Sequence, residues 1–365
     1  MNLSEQTLLD LLEKKHLLFD TPHFYTLKEG DPRYLDPSEM AHLYVSSALL
    51  VTIMEFVSEQ LWLSNEEDKK SGVNTLYEDF ITPFFLDELA PVLFLKSFFV
   101  SGGAENIRVI LKDTIAIEKE VLSLIAARPG DDLKEFVVQS LKEMTAHFIH
   151  EEKAQESREQ SLGHKGLRLY RTFDNLDILF NLNYTLDREM VVDQSAKERL
   201  YQRAGAGVQS GYSTILLALH GIDPKEGSSM IDLGSGYGRV GLVWTLLRPD
   251  IFFTGYEYVP HRVTVSNAAS KVFGLNNYLQ FKVQDLSLES FKIPDGDVYY
   301  LYDPFTKETY QSVLKQIVEV SRRRKITVVT KGNARSRLME ISEKNSWREP
   351  EIIDYGNLCI FESQS

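Results

Sequence analysis

The residues with the clearest chemical potential lie between Met230 and Leu242, in the sequence MIDLGSGYGRVGL. A short apolar run ends at Asp232, glycines follow at alternate positions from Gly234 to Gly238, and a helical pattern begins after them. Glycine lets the backbone turn sharply and lets a ligand approach it closely. The start of a helix also offers free backbone N–H groups. The segment therefore predicts a ligand-binding loop between a strand and a helix.

Two classes of ligand use a loop of this kind. In one register, Gly236, Gly238 and Gly241 spell the dinucleotide fingerprint G-x-G-x-x-G. In that class a pyrophosphate lies at the helix N-terminus, where the Asp232 carboxylate at the strand end would repel it. A carboxylate instead suits a ligand with positive charge, such as the amino group or the sulfonium of S-adenosylmethionine. Asp232 therefore favours a methyl donor over a dinucleotide.

The same segment resembles the first motif, D-x-G-x-G-x-G, of the seven-strand (class I) S-adenosylmethionine-dependent methyltransferases. The residues that match it are Asp232, Gly234, Gly236 and Gly238. The resemblance extends over about residues 201–365. It implies S-adenosylmethionine as the cofactor, held in part by this loop and its Ser235.

A second acidic residue stands where this family binds the cofactor ribose. Glu257 ends the second predicted strand, 25 residues after Asp232. A carboxylate can accept hydrogen bonds from both ribose hydroxyls, and the resemblance includes the adjacent Tyr258 in the cofactor site. Taken alone, Glu257 could also be a solvated residue, and a strand-end aspartate could cap the next helix.

A third acidic residue follows the third predicted strand. The resemblance places Asp285 beside the adenine amino group of the cofactor and Leu286 against the adenine ring. Asn276 and Gln284 are nearby polar alternatives.

The fourth predicted strand ends in Asp303-Pro304-Phe305. This tripeptide resembles the [DN]-P-P-[FY] motif of amino-methyltransferases but lacks the second proline. The resemblance implies a catalytic role, in which the Asp303 side chain and the Pro304 carbonyl accept hydrogen bonds from a target nitrogen. Asp303 as a general base and a simple strand-end turn beside the cofactor are the alternatives.

Segments on either side of these motifs add further candidates. In this family the stretch ahead of the glycine loop often folds over the methionine end of the donor, which makes Gln209, Ser210 and Tyr212 candidates by position; a simple lead-in to a helix is the alternative. Residues 331–333, Lys-Gly-Asn, follow the fifth predicted strand, at the edge where open α/β sheets bind ligands. They either line the acceptor pocket or begin a turn, and the turn is favoured.

From about Ser228 the sequence alternates between short apolar runs and helical patterns, which predicts an α/β domain with a parallel sheet. The last two runs flank Gly356 and predict an antiparallel C-terminal hairpin. The predicted helices are 238–247, 260–273 and 309–322. The predicted strands are 230–233, 252–256, 278–283, 298–302, 325–330, 351–355 and 357–362. The fold expected is a seven-stranded, mostly parallel sheet preceded by a mainly α-helical domain.

The N-terminal part is written mostly in helical periods. Residues 1–152 are expected to form a helical domain, 153–200 a linker with connecting helices, and 201–365 the methyltransferase domain. Polar or Gly/Pro-bearing stretches predict helix breaks at 65–72, 101–103 and 128–132.

Composition limits the partners. The net charge is −13, with 21 basic and 35 acidic residues up to Leu200 and 19 and 18 after it. This balance disfavours nucleic acids and anionic membranes as partners, because both attract basic proteins.

The single cysteine, Cys359, excludes an internal disulfide and favours a buried structural thiol. The apolar stretch 41–57 is short and polar-interrupted for a membrane span, and the N-terminus lacks the pattern of a signal peptide, so a cytoplasmic location is expected. The oligomeric state is left open.

Two charged clusters invite functional interpretations that the sequence disfavours. Glu143, His147, His150 and Glu151 share a predicted helix, and an i, i+4 pair resembles half of a metal site; without a third ligand, a solvated helix face is favoured, so no metal is expected. The basic run 322–325 stands at a helix end, where cations are stabilised by the helix dipole.

The leading hypothesis is an S-adenosylmethionine-dependent methyltransferase whose acceptor is an amine, such as a protein lysine, selected by the helical domain. A small-molecule N- or O-methyltransferase is the alternative within that class, and RNA ranks below it as an acceptor. A non-catalytic scaffold that binds S-adenosylmethionine or its demethylated product, and a dinucleotide oxidoreductase, are the alternatives of other classes.

Overall fold

The computed structural model of the chain describes residues 3–20, 31, 34–87, 89, 92–156, 169–190, 209–302, 305–332 and 334–364. They divide into two compact units. The first contains the described residues up to Ala154 together with Leu169–Asn175, and the second contains residues 155 and 156 and the described residues from Leu176 onward. The expected boundary at residue 201 lies outside the described residues, and the described parts of the expected linker 153–200 belong partly to each unit.

The first unit is helical, as expected. Its helices are α1 (Glu5–Asp20), α2 (Pro37–Ser71), α3 (Tyr77–Asp87), α4 (Leu95–Ala126) and α5 (Gly130–Glu156), of which α5 belongs to this unit up to Ala154. Helix α2 is long and apolar enough to cross a membrane by length and composition, yet 78% of its most apolar 18-residue window is buried inside the protein. Its apolar character therefore serves the packing of this unit.

Helix α2 continues through most of the break that was expected at 65–72 and ends only at its last residues, so the break is present but was predicted to begin too early. Its start is fixed by a capping box, in which Asp36 and Glu39 each accept a hydrogen bond from the other's backbone N–H. Its polar last turns are solvated helix, supported by the Lys69–Glu66 ion pair of 2.6 Å. The helix ends only at Gly72, whose φ of 71° stops the α-helical geometry.

The two other expected breaks behave differently from each other. At 101–103 helix α4 continues across a kink, where Gly103 has a φ of 62°. Between α4 and α5 the chain does leave the helix, from Ala127 to Pro129. Helical periodicity thus identified the helical regions correctly, whereas the exact ends of the helices depend on tertiary contacts.

The prediction that the His147 and Glu151 face of α5 is solvated was wrong. His147 is only 8% exposed and Glu151 only 2% exposed. Burial lowers the pKa of His147 to about 4. No group of three metal-ligating side chains occurs among the described residues.

The second unit contains helices α6 (Thr185–Glu189), α7 (Tyr212–Ile222), α8 (Arg239–Leu247), α9 (Pro260–Val272), α10 (Lys307–Ser321) and α11 (Ala334–Lys344). Its strands are β1 (Ser229–Leu233), β2 (Phe252–Glu257), β3 (Leu279–Val283), β4 (Val298–Tyr302), β5 (Thr327–Lys331), β6 (Glu351–Ile353) and β7 (Leu358–Glu362). All seven predicted strands and all three predicted helices are confirmed to within a few residues.

These strands form one sheet in the order β3-β2-β1-β4-β5-β7-β6. Strands β1 to β5 pair in parallel, whereas β7 is antiparallel to both β5 and β6. The expected mostly parallel sheet with a C-terminal antiparallel hairpin is therefore confirmed. The strand order reverses between β1 and β4, and open α/β sheets bind ligands at such a point, outside the carboxyl ends of the strands.

Alternation along β1 sends its side chains to two faces of the sheet. Ile231 and Leu233 lie in the hydrophobic core that includes Val313 and Ile317 of α10. Asp232 points the other way and pairs in register with Tyr300 of β4. The only carboxylate of β1 is thus fixed on one face by the same alternation that fills the core on the other.

Two expectations outside the site have clear outcomes. Cys359 is 1% exposed, and burial raises the pKa of its thiol, as expected of a structural cysteine. In the basic run, Arg323 pairs with Asp295 at 2.6 Å and Lys325 pairs with Glu362 at 3.0 Å. These cations balance nearby acids.

Candidate cofactor-binding site

The glycine loop begins where β1 ends. Gly234, Gly236 and Gly238 have φ angles of 100°, 55° and 79°. The backbone N–H groups of Gly234 and Ser235 both donate to the Tyr256 carbonyl at 2.9 Å. The loop is therefore turned back against the end of β2 in a conformation that favours glycine.

At two of these glycines a Cβ atom would also come too close to neighbouring side chains. A Cβ on Gly238 would lie 2.5 Å from Cζ of Phe281 and 2.9 Å from Cβ of Ser266. A Cβ on Gly236 would lie 3.0 Å from Oε1 of Gln209. The structure thus brings Gln209, a candidate by position alone, directly against the glycine loop.

Asp232 is a buried carboxyl group, only 2% exposed. Burial, and then the nearby Glu257 carboxylate, raise the pKa of Asp232 well above its usual range. Among the described residues, no cationic side chain lies within 4.0 Å of it to form an ion pair. A ligand that brings positive charge would therefore relieve the cost of ionising this group.

Glu257 ties the ends of two elements together. Its Oε2 accepts from the Gly236 N–H at 2.8 Å, and its Oε1 accepts from the Val259 N–H at 2.9 Å. Nη1 of Arg262 lies 3.6 Å from Oε1. Because a carboxylate has about four acceptor positions, Glu257 keeps capacity for a pair of ligand hydroxyls.

The end of β3 lies beside the end of β2, since Glu257 pairs in register with Val283. Asp285 is half-buried there, and its Oδ1 accepts from the Ser287 N–H at 2.8 Å. Leu286 is 2% exposed. Tyr258 is half-buried next to Glu257. The three carboxyl groups predicted for the cofactor therefore lie at or just beyond the carboxyl ends of three neighbouring strands, at the same edge of the sheet.

The segment before α7 makes two contacts of different kinds. Ser210 Oγ lies 2.7 Å from the Tyr300 hydroxyl on β4. Tyr212 is fully buried, and its hydroxyl donates to Oδ1 of Asp177 at 2.8 Å. This placement favours Gln209 over Tyr212 as a residue that reaches a ligand in the loop.

The predicted acceptor residues are only partly within the described chain. Asp303 and Pro304 lie outside it, as does Asn333. Phe305 is fully buried in the core, with its ring 5.1 Å from that of Tyr310 in a T-shaped contact. That position favours a packing role over contact with a methyl acceptor. Lys331 is 6% exposed, with its ammonium 4.7 Å from the ring centre of Tyr302.

Sequence reasoning missed two buried acidic residues that precede the sheet. Asp177 accepts hydrogen bonds from Arg239 at the start of α8 and, at 2.6 Å, from the Tyr184 hydroxyl. Asp187 binds Arg262 through two hydrogen bonds of 3.1 Å. The available signal was Arg239, which opens the otherwise apolar helix RVGLVWTLL, because a buried arginine needs a partner. The helix of Arg262 is too polar to give the same signal.

The residues at this edge fit an adenosyl cofactor that carries a cation. Asp232 offers a carboxyl group to which the described residues bring no cationic partner, and Glu257 offers acceptors to a ribose. The Ser235 hydroxyl is buried and has no hydrogen-bond partner among the described residues, so the loop also holds a polar group that a ligand would satisfy. Pyrophosphate does not fit beside two carboxylates.

A scan against protein-family models and a search of curated proteins both find no match. Among solved structures, the chain is similar to the C-terminal domain of precorrin-6Y C5,15-methyltransferase from Rhodobacter capsulatus, at 12% identity over 44% of this chain and 92% of that one, with a TM-score of 0.33. The corresponding enzyme of Geobacter metallireducens GS-15 gives 14% identity over 48% and 92%, with a TM-score of 0.35. An RNA methyltransferase from Salinibacter ruber, in complex with S-adenosyl-L-homocysteine, gives 19% over 42% and 92%, with a TM-score of 0.32.

Such distant similarities do not identify a substrate. The sheet itself is more informative, because its strand order and its antiparallel hairpin are observed directly. The glycine loop after β1 and the acidic residue ending β2 occupy the places that the sequence resemblance implies. In fold, the chain therefore resembles the class I S-adenosylmethionine-dependent methyltransferases.

Proposed function

We propose that this protein is an S-adenosylmethionine-dependent methyltransferase. The observation that carries the proposal is the Asp232 carboxyl group, which is buried beside a glycine loop held by Glu257 and has no cationic partner in the part of the chain that the structure describes. A dinucleotide would bring further negative charge to this position, whereas S-adenosylmethionine brings an ammonium and a sulfonium.

Each residue has a defined task in this proposal. Asp232 binds the positively charged methionine end, Glu257 accepts the ribose hydroxyls, and Asp285 with Leu286 holds the adenine. When bound, the cofactor supplies an electrophilic methyl group on its sulfonium. Methyl transfer is an in-line displacement, so the chain accelerates it chiefly by holding the donor and the acceptor in line.

Titration calorimetry with S-adenosylmethionine, S-adenosylhomocysteine and NAD tests the proposal. We expect the two adenosyl ligands to bind one site, NAD not to compete, and Asp232→Ala to remove binding. Asp295→Asn, which changes a half-exposed carboxylate of the same unit, serves as the control and is expected to bind normally. Failure of the wild-type chain to bind either adenosyl ligand would refute the proposal.

For the acceptor, we propose an amine, with a protein lysine as the first class. The partial match of Asp303-Pro304-Phe305 to the amino-methyltransferase motif and the acidity of residues 1–200 support this choice. Asp303 and the Pro304 carbonyl would accept hydrogen bonds from the amine and leave its lone pair directed at the methyl group.

A lysate fractionated into protein, RNA and small solutes, supplied with radiolabelled S-adenosylmethionine, separates the acceptor classes. Label in protein, removed by Asp303→Ala, is the expected result. Label in small solutes would favour the small-molecule alternative. Intact cofactor binding with no transfer to any fraction would favour the non-catalytic scaffold.

A further inference from the structure

Arg262 lies between two carboxylates that come from distant parts of the sequence. Its Nε and Nη2 donate to Oδ1 and Oδ2 of Asp187 at 3.1 Å each, and its Nη1 lies 3.6 Å from Oε1 of Glu257. The side chains of Arg262 and Glu257 are each 7% exposed, and that of Asp187 is fully buried. The three groups form a continuous buried chain of charges, from the segment before the sheet to the end of β2.

The geometry of arginine makes this chain directional. A guanidinium is planar, and its three nitrogens hold their N–H groups in fixed directions. A carboxylate that binds two of these nitrogens therefore also fixes the direction of the third. Asp187 occupies the Nε and Nη2 side and thereby directs Nη1 at Glu257. His261 Nε2 lies 2.8 Å from the same Oδ1 of Asp187 and gives that oxygen a second partner.

The electrostatics agree with this arrangement. Burial alone raises the pKa of Asp187, but the hydrogen bonds from Arg262 and His261 outweigh it and lower that pKa below its ordinary value. Asp187 therefore stays ionised and keeps Arg262 paired.

Glu257 needs such a cation. It shares the edge of the sheet with the Asp232 carboxyl group, whose pKa it raises. Its two oxygens already hold the Gly236 and Val259 N–H groups. Arg262 is the only cationic side chain that the described residues bring within 4.0 Å of Glu257, so it offsets the repulsion between the two acids.

We propose that Asp187 is a positioning residue of the cofactor site: it holds Arg262, and Arg262 holds Glu257 in the orientation that accepts the ribose hydroxyls. The segment 176–190, which precedes the sheet, is then part of the cofactor-binding apparatus. This inference rests on the proposed function, because it takes Glu257 as the ribose ligand.

A double-mutant cycle on S-adenosylhomocysteine affinity, measured by calorimetry, tests the inference. Asp187→Asn is expected to raise Kd about tenfold in the wild-type background, in the range of couplings between residues of one network. In a Glu257→Gln background the same change is expected to raise Kd by less than about twofold, because the group it positions is already lost. An equal effect in both backgrounds would overturn the role of Asp187.

Asp177→Asn is the matched control. It removes another buried carboxylate from the same segment, but its partners are Arg239, Tyr184 and Tyr212. Its effect on Kd is expected to be the same in both backgrounds, whatever its size. Coupling of Asp177 to Glu257 as strong as that of Asp187 would show a general loosening of the unit and contradict the inference.

If Asp187→Asn fails to fold, the cycle is repeated with Arg262→Lys, which retains the charge and loses the fork. Coupling to Glu257→Gln is again the expected result, and additivity again overturns the inference. A wild-type chain that binds no S-adenosylhomocysteine contradicts both the proposed function and this inference. Binding with additive effects contradicts the inference alone.

Discussion

At the scale of single residues, Asp232 is a carboxyl group enclosed by protein beside a second carboxyl group, Glu257. Burial and this neighbour raise its pKa well above the ordinary value. A group with a raised pKa in the folded state contributes stability at low pH, and that contribution is lost as the pH rises through the raised pKa. Asp232 thus destabilises the ligand-free protein at neutral pH, and the cationic ligand proposed for the site would offset that cost.

This balance predicts opposite effects of Asp232→Asn on stability and on binding. The free energy of unfolding of the ligand-free protein at neutral pH is expected to rise, because a neutral amide removes the unfavourable burial of a carboxyl group whose pKa is raised by folding. Affinity for S-adenosylmethionine is expected to fall by about 2 kcal/mol or more, roughly thirtyfold in Kd, as when one partner of a buried charge pair is removed. Urea unfolding and calorimetry measure the two quantities, and a variant that is less stable and still binds would contradict this account.

The pH dependence of binding has a defined sign. The cationic ligand favours ionised Asp232, so binding releases a proton below the raised pKa, and affinity increases as the pH rises through it. Calorimetry in buffers of different ionisation enthalpy measures the proton release. Asp232→Asn serves as the control, because its affinity is expected to lose that dependence.

The glycines allow a comparison at equal backbone geometry. Gly238 and Gly227 have φ angles of 79° and 76°, but a Cβ meets Phe281 at 2.5 Å in the first and nothing within 4 Å in the second. We expect Gly227→Ala to cost about 1–2 kcal/mol of stability through its left-handed backbone alone. Gly238→Ala adds overpacking of about 1–3 kcal/mol. Equal losses for the two variants in urea unfolding would show that the loop can yield around Phe281.

At the scale of elements, the segment Leu176–Met190 is integral to the second unit although its sequence suggests a linker. Asp177 is 4% exposed and Arg239, at the start of α8, is 1% exposed. Removing one partner of a buried ion pair leaves the other charge uncompensated and costs about 3–5 kcal/mol. Asp177→Asn is therefore expected to lower the free energy of unfolding of this unit by that amount.

An exposed pair provides the reference for that measurement. Asp295 and Arg323 form an ion pair of 2.6 Å with both side chains more than half exposed. Exposed pairs contribute about 0–1 kcal/mol, so Asp295→Asn should leave the urea midpoint nearly unchanged. If Asp177→Asn changes the urea midpoint as little as Asp295→Asn does, the segment Leu176–Met190 does not contribute to the stability of the unit.

At the scale of the whole molecule, acidity is concentrated in the first 200 residues, with 35 acidic against 21 basic, while the rest is nearly neutral. A charge of one sign steers oppositely charged partners, and salt screens this attraction. If the acceptor is a basic protein, its KM is expected to rise about threefold or more between low and physiological ionic strength. The KM for S-adenosylmethionine, whose proposed site is lined by the buried Asp232 and Glu257, is expected to change little. An acceptor KM independent of salt would show that the acidity of the first 200 residues has no part in acceptor recognition.

The sequence by itself determined the sheet and much of the cofactor edge. Period-two apolar runs fix which residues of β1 face the core, so Asp232 had to lie on the other face. Parallel connections bring the carboxyl ends of successive strands to one edge, which places Glu257 and Asp285 near it. The spacing of the glycines indicates a loop with positive φ angles, because few other residues adopt positive φ.

Only the tertiary structure decided which charges are buried together. Asp187 and Arg262 are separated by 75 positions, and no periodicity links them. Burial of His147, which looked solvated, likewise depends on what packs against its helix. Local patterns report the interactions between residues close in the chain, whereas the pairing of buried charges depends on which distant surfaces exclude water, and that is a property of the folded chain.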